Sequence, residues 1–438
     1  MRSPALLTDR YELTMLQASL RTGSARRRAV FELFARQLPA GRRYGVVAGT
    51  GRFLDELMRF SFSDEQVDWL LERRVVDEPT ARWLAAYRFG GDVWGYPEGE
   101  TYFGGSPVLV VEASFAEAVL LETLALSVFN HDSAVASAAT RMTCAAGERP
   151  CIEMGSRRTH EQAAVASARA AYLAGFAATS NLEAGARYGV PTTGTSAHAF
   201  TLLHDSEREA FASQVAALGE QTTLLVDTYD VEAAVRTAVE VAGTGLGAVR
   251  LDSGDLVQTA TQVRRQLDGL GAHQTRIVVT GDLDEHAIAG LAAAPVDGYG
   301  VGTSLVTGSG HPTCGFVYKL VARAASDRAD APLRGVAKTS PSKATVAGRK
   351  WALRRLGADK VAEAEVVGVG QQPVDDGNDR PLLVELVRGG ERRWHESLDD
   401  SRARHLRSRA ELPLAAYHLS RGEPALRTVY ETPEEVPR

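Results

Sequence analysis

Between about residue 150 and residue 310 the chain repeats one unit: a short apolar run that ends in a polar cluster and is followed by a helical pattern. The runs are CIEMGSRR, AGFAATSN, VPTTGTSAH, TTLLVDTYD, GAVRLDSGD, RIVVTGDLD and DGYGVGTS. Between them lie stretches such as VEAAVRTAVEVAG and LVQTATQVRRQLDGLG, apolar at a spacing near 3.6 and closed by glycine. Strand and helix in alternation build parallel βα units. This many in succession predict an irregular α/β barrel over 126–334 more readily than a doubly wound open sheet. In GDLDE, Asp282 has Glu285 three residues on, the spacing of a capping box.

The flanks read differently. Residues 1–125 mix helical patterns with strand-like GDVWGY and SPVLVVEAS, and 335–438 hold a strand-like PLLVELVRGG and a helical DDSRARHLRSRAEL. Neither is a complete α/β domain alone. They are expected to combine into one smaller α/β domain that brackets the barrel.

Composition narrows the classes. A net charge of -6 disfavours a nucleic-acid binder. The stretch VLVVEASFAEAVLLETLALSVF is interrupted by Glu112, Glu117 and Glu122 and reads as a strand and a buried helix, so no membrane partner is expected. MRSPALLTDRYELT has no apolar core of signal-peptide length, and the cytoplasm is the expected location. Cys144, Cys151 and Cys314 have neither an even count nor zinc spacing. The first lysine is Lys319, which rules out a Schiff-base lysine on the earlier strands.

Barrel enzymes place their chemistry where strands end. Asn181, His198, Asp227, Arg250, Asp252, Asp282 and Thr303 all fall at or near such ends. His198 stands among Gly194, Ser196, Ala197 and Ala199, which leave space around it. Asp227, in LLVDTYD, can fix the tautomer of an imidazole or cap a helix, while Asp230 is the better cap. Arg250 and Asp252 face one side of a strand, as an anion site with a ribose-diol carboxylate or as a structural ion pair. YGVGTSL offers glycines for close backbone approach to a phosphate, or a plain tight turn. Arg157 and Arg158 point apart, so at most one faces the site. TDRYELT reads alone as an ordinary helix start.

The ordered motifs TDRYELTM, FELFARQLP, EMGSRRTHE, SNLEAGARYGVPTTGTSAHAF, LLVDTYD, RLDSGDL, VVTGDLDE, YGVGTSLVTG and VYKLV resemble nicotinate phosphoribosyltransferase, a type II phosphoribosyltransferase, from about residue 5 to 355. The resemblance implies conversion of nicotinate and 5-phosphoribosyl 1-pyrophosphate to nicotinate mononucleotide and pyrophosphate, in NAD biosynthesis by salvage. It implies ATP as co-substrate, Mg²⁺, and a homodimer whose active site lies at the subunit interface. His198 falls on the family's phosphohistidine and Asp227 on the carboxylate that orients it. Tyr11, from the partner subunit, would stack on the pyridine ring, with Met154, Arg157, Asn181 and Arg250 also about nicotinate. Arg36 and Lys319 would hold pyrophosphate, and Asp252, Gly281, Asp282, Gly300, Gly302 and Thr303 match the phosphoribosyl region. No residue is assigned as a metal ligand. The related nicotinamide enzyme has aspartate where this chain has Asn181 and a second stacking aromatic where it has Met154.

Overall fold

The computed structural model describes residues 3–338 and 345–432, and the chain divides into two compact units, Met1–Ser137 with Thr313–Arg438, and Ala138–Pro312. The divisions at 137/138 and 312/313 differ from those expected at 125 and 334. In consequence the strand Phe316–Ala324, which carries Lys319, belongs to the flanking unit. That unit is the longer of the two, not the smaller.

Its main sheet has seven antiparallel strands in the order Leu333–Gly335, Phe316–Ala324, Arg28–Ala35, Leu109–Ser114, Asp92–Gly95, Val384–Arg388, Glu391–Arg392. Strands from both ends of the sequence interleave, so neither flank folds alone. Val30, Val110, Val321 and Ala322 form a buried cluster on this sheet, with Trp94 and Leu333 packed against it. A second sheet runs Arg380–Pro381, Lys350–Leu356, Ala362–Val369, Arg427–Glu431. Beneath it Arg354, fully buried, donates to Glu365 at 3.1 Å, and Arg380 grips Glu100 at 2.8 and 3.0 Å. Burial works to raise the Glu100 pKa, but the hydrogen bonds and charge of Arg380 and the charge of Arg354 bring it down to about 2. A charge buried in this way is sustained only by its partners.

The second unit is a six-stranded parallel sheet, in the order Ala178–Thr179, Cys151–Glu153, Gly298–Val301, Arg276–Val279, Ala248–Leu251, Thr223–Leu225. Helices such as Val231–Ala242 and Leu256–Gly269 follow the strands, their Ala234, Val235, Ala238 and Ala260, Val263, Leu267 buried. The expected irregular barrel takes the form of a parallel sheet with two edges, Ala178–Thr179 and Thr223–Leu225. The run VPTTGTSAH contributes a single parallel bridge, Thr179 with Thr192, rather than a strand. Pro191 has no N–H to donate, and the ladder cannot continue through it. The capping box at Asp282 is also absent. Asp284 caps the helix Glu285–Gly290, accepting from the amides of His286 and Ala287, while Asp282 holds a left-handed φ of 46°. Asp230 does cap its helix, accepting from Ala233 N at 2.8 Å. Cys144, Cys151 and Cys314 form no disulfide. Among the described residues no helix is long and apolar enough to cross a membrane.

Candidate active site

Every parallel strand delivers its C-terminal end to one edge of the sheet, and the polar residues found there are held by one another. Val226 ends its run with an amide bonded to Arg250 O at 3.2 Å, and the next residue, Asp227, is placed beside the end of the neighbouring strand. Asp227 Oδ2 accepts from Asp252 N and from Ser253 Oγ, both at 2.8 Å. Its Oδ1 faces His198 Nε2 at 3.3 Å. The carboxylate side chain is 2% exposed and the imidazole 41%. Three contacts thus immobilise Asp227, while His198, the first residue of the short helix His198–Leu203, keeps Nδ1 available. Asp227 does not cap a helix, and Ser253 was not singled out from sequence.

Arg250 leaves the adjacent strand on the same side. Its Nη1 donates to Thr195 Oγ1 at 2.6 Å and to Ser196 O at 3.3 Å, tying down the loop before His198. Nη2 lies 3.6 Å from Asp252 Oδ1, a loose ion pair, and Nε is buried without a partner. Thr280 Oγ1 donates to Asp252 Oδ1. A Cβ on Gly281 would lie 2.5 Å from Asp252 O, and its φ of 105° is open to glycine alone. Gly281 and Asp282 are therefore two consecutive left-handed residues at an exposed strand end, backbone strain of the kind concentrated at functional sites.

On the other side of the sheet, Glu153 ends its strand fully buried. It accepts from Gly155 N and from Thr179 Oγ1, and burial raises its pKa despite those bonds. Thr179 Oγ1 in turn accepts from Asn181 N at 2.9 Å. Asn181 Oδ1 caps the helix Leu182–Tyr188, accepting from Ala184 N at 2.9 Å, which forces Nδ2 to be the group that faces Ser156 Oγ, also 2.9 Å away. Asn181 thus presents donors. Gly300 lies within a strand, and a Cβ there would come 2.7 Å from Met154 Sδ and 2.5 Å from Thr280 Cγ2. The glycine makes room for the Met154 thioether. Gly302 precedes the turn-length helix Thr303–Val306, with the Arg158 stem beside it, and Arg157, Arg158 and Thr303 are all exposed.

Residues 6–130 match the family model described as the nicotinate phosphoribosyltransferase N-terminal domain, and residues 150–362 match that of the nicotinate phosphoribosyltransferase family. The chain belongs to the nicotinate phosphoribosyltransferase family. It is 56% identical over 432 residues to nicotinate phosphoribosyltransferase pncB1 of Mycobacterium tuberculosis, covering 97% of this chain and 94% of that one. Identity to the human nicotinate phosphoribosyltransferase is 31%, covering 84% and 80%. The crystal structure of human nicotinic acid phosphoribosyltransferase superposes with a TM-score of 0.82 at 27% identity, covering 97% of each chain.

The other residues expected at the site, Tyr11, Arg36 and Lys319, lie in the flanking unit. Tyr11, 46% exposed, stands on the first turn of the helix Arg10–Thr22. Its hydroxyl pKa is raised by burial first, then by the charges of Glu122 and Glu12. Lys319 Nζ donates to Glu122 Oε1 at 3.3 Å. Arg36 is half-buried just past the strand Arg28–Ala35, its Nε without a partner, and lines a cavity of about 380 Å³ with Arg42, Gly104 and Arg427. The motif TDRYELT, ordinary in sequence, has a structural purpose. Thr8 donates to Glu12, and Glu12 Oε1 accepts from Thr123 N at 2.9 Å and from Thr123 Oγ1 at 2.5 Å, so it caps the start of the helix Glu122–Ala146.

Proposed function

We propose that this chain transfers the phosphoribosyl group of 5-phosphoribosyl 1-pyrophosphate to nicotinate, with ATP hydrolysis coupled through His198. The observation that carries the reading is the pairing of His198 with Asp227. If Nε2–H donates to the carboxylate, Nδ1 holds a lone pair, and it is the nitrogen that attacks the γ-phosphorus of ATP while ADP leaves. The resulting phosphohistidine is later hydrolysed to inorganic phosphate and free imidazole. Small residues at 194, 196, 197 and 199 leave space for the phosphoryl group.

In the transfer itself the nicotinate ring nitrogen forms a bond to ribosyl C1 as the bond to pyrophosphate breaks. No side chain needs to remove a proton, because the ring nitrogen attacks as a lone pair. Catalysis is positioning and charge stabilisation. Asn181 Nδ2 offers a donor to the nicotinate carboxylate, where a second carboxylate would repel it. Met154 offers a thioether to the ring, and Arg157 and Arg250 offer positive charge. Asp252 suits the ribose diol, and Gly281, Asp282, Gly300, Gly302 and Thr303 surround the 5′-phosphate. The donor set fits Mg²⁺ held chiefly by substrate phosphates, with Asp252 the half-exposed carboxylate at hand; bound there it would offset phosphate charge. Tyr11, Arg36 and Lys319 would complete the site of a second copy of the chain in a homodimer, Tyr11 stacking on the ring and the two cations on pyrophosphate.

The test is an assay of the purified protein with 5-phosphoribosyl 1-pyrophosphate, Mg²⁺ and either nicotinate or nicotinamide, with and without ATP, following mononucleotide and ADP together. Nicotinate-dependent product with ATP-stimulated yield and matching ADP is expected. Product from nicotinamide alone would overturn the specificity argument. No product with either would make the chain a pyridine-nucleotide binder that has lost turnover.

A further inference from the structure

The strands Cys151–Glu153 and Ala178–Thr179 are parallel neighbours, with Glu153 and Thr179 as register partners at their C-terminal ends. Paired positions put both side chains on one face of the sheet. Here they meet as an acid and a hydroxyl, each fully buried, with Thr179 Oγ1 donating to Glu153 Oε2. The single hydroxyl proton is thereby committed, so Thr179 Oγ1 meets Asn181 N, 2.9 Å away, as an acceptor. The other oxygen, Glu153 Oε1, accepts from Gly155 N. A Cβ on residue 155 would lie 2.9 Å from that oxygen, so glycine lets the carboxylate sit beneath the turn. Asn181 Nδ2 then donates to Ser156 Oγ at 2.9 Å and closes the circuit, because Ser156 is bonded to Gly155. Glu153 is the one group that reaches both halves of it.

We infer that Glu153 is a positioning residue for the pyridine substrate: its two oxygens hold the Asn181 segment and the Met154–Ser156 turn against each other, so that the amide donor and the thioether are presented at a set separation. The inference rests on the reading of Asn181 and Met154 given under the proposed function. The physical case is that both groups follow very short strands, of three and two residues, whose ladders alone hold little. Met154 N adds one bond to Val301 O at 2.8 Å, and Ser180 N one to Glu153 O at 2.8 Å. A buried carboxylate bonded to both segments orders them before substrate arrives, so less ordering is left to oppose binding. Glu153 is fully buried and acts only through the groups it holds.

The experiment is steady-state kinetics on the full-length protein. Glu153→Ala is expected to raise KM for nicotinate about tenfold and to leave KM for 5-phosphoribosyl 1-pyrophosphate within about twofold of wild type. Glu153→Gln is expected to bring KM for nicotinate back to within about threefold, since its oxygen can keep Gly155 N while its NH₂ donates to a spare lone pair of Thr179 Oγ1. If Glu153→Ala does not fold, Thr179→Val carries the same test. It removes only the hydroxyl link and should raise KM for nicotinate about fivefold. In an Asn181→Ala background Thr179→Val should add nothing, because no side-chain amide is left to position. A joint that only stabilised the fold would lower the melting temperature and move neither KM; that result, equal rises in both KM values, or full additivity with Asn181→Ala would overturn the inference. If Asn181→Ala raises KM for nicotinate while Glu153→Ala and Thr179→Val do not, the inference falls and the reading of Asn181 stands. If Asn181→Ala changes nothing, that reading falls and takes the inference with it. Stabilisation by nicotinate against thermal unfolding reads the same site without turnover: it should be weaker in Glu153→Ala than in wild type, and equal stabilisation would remove the positioning role.

Discussion

Asp227 uses its two oxygens for different purposes: Oδ1 meets His198 Nε2 at 3.3 Å, and Oδ2 is anchored by Asp252 N and Ser253 Oγ. The anchors prevent the carboxylate from turning, so the imidazole ring rather than the carboxylate is the mobile partner of the pair. They also dictate what an amide would do in its place.

In Asp227→Asn the carbonyl oxygen would stay with the two anchoring donors and the NH₂ would face His198. Nε2 would then have to accept, and Nδ1 would carry the proton. That tautomer cannot attack phosphorus. ATP stimulation should fall by about 10²-fold or more, with slow ATP-independent transfer retained. His198→Ala should behave alike. Measuring ADP and mononucleotide side by side decides it, and undiminished coupling in either variant would remove the pair from this role.

Asn181→Asp should leave the fold intact, because a carboxylate can still accept from Ala184 N. What changes is the other oxygen, which would present negative charge where Nδ2 now donates. We expect KM for nicotinate to rise about tenfold and the preference to move toward nicotinamide. An unchanged ratio of kcat/KM for the two substrates would defeat the charge argument.

Subunits carrying Tyr11→Ala and subunits carrying His198→Ala should be nearly inactive alone in ATP-stimulated synthesis. Mixed and allowed to exchange, they should regain one working site per heterodimer, about a quarter of wild-type activity at equal mixing if association is random. Failure to recover any activity after verified exchange would contradict a site shared between subunits.

Glu12 provides a pH-dependent term in stability. Burial raises its pKa to about 7 against the bonds from Thr123 and Thr8, so the folded chain keeps a proton that the unfolded chain sheds near 4.5. The stabilisation is complete below pH 4.5 and is lost as pH rises through 7. Relative to Glu12→Gln, whose amide does not titrate, wild type should lose at most about 3 kcal/mol between pH 4.5 and 8. Denaturant unfolding of both proteins across that range would show a constant difference if Glu12 titrates normally.

Several of these relationships were legible in the chain before its structure. Arg250 and Asp252 read as neighbours on one face from their alternation, and they are a pair at 3.6 Å. Asp230 read as a cap and is one. Other features depended on distance in sequence. Thr8, Asp9 and Glu12 look like any helix start until Thr123, more than a hundred residues away, is placed against them. Ser253 was passed over because a serine in a strand-end turn is common and its partner lies 26 residues earlier. Asp282 has the capping-box spacing to Glu285, but it takes a left-handed φ of 46° and Asp284 caps the helix instead.

The sequence by itself determined the periodicities: the parallel βα half, the mixed flanks, the clustering of polar residues at strand ends, and the ordered motifs that mark the family. These are local properties, set by side-chain spacing and backbone preference within a few residues. The tertiary structure decided what depends on hydrogen bonds between remote segments. It left the parallel sheet with two edges, because the run through Pro191 can donate only part of a ladder. It moved Lys319 into the flanking sheet beside Glu122. It also brought His198 Nε2 to 3.3 Å from Asp227, which lies 29 residues further along the chain.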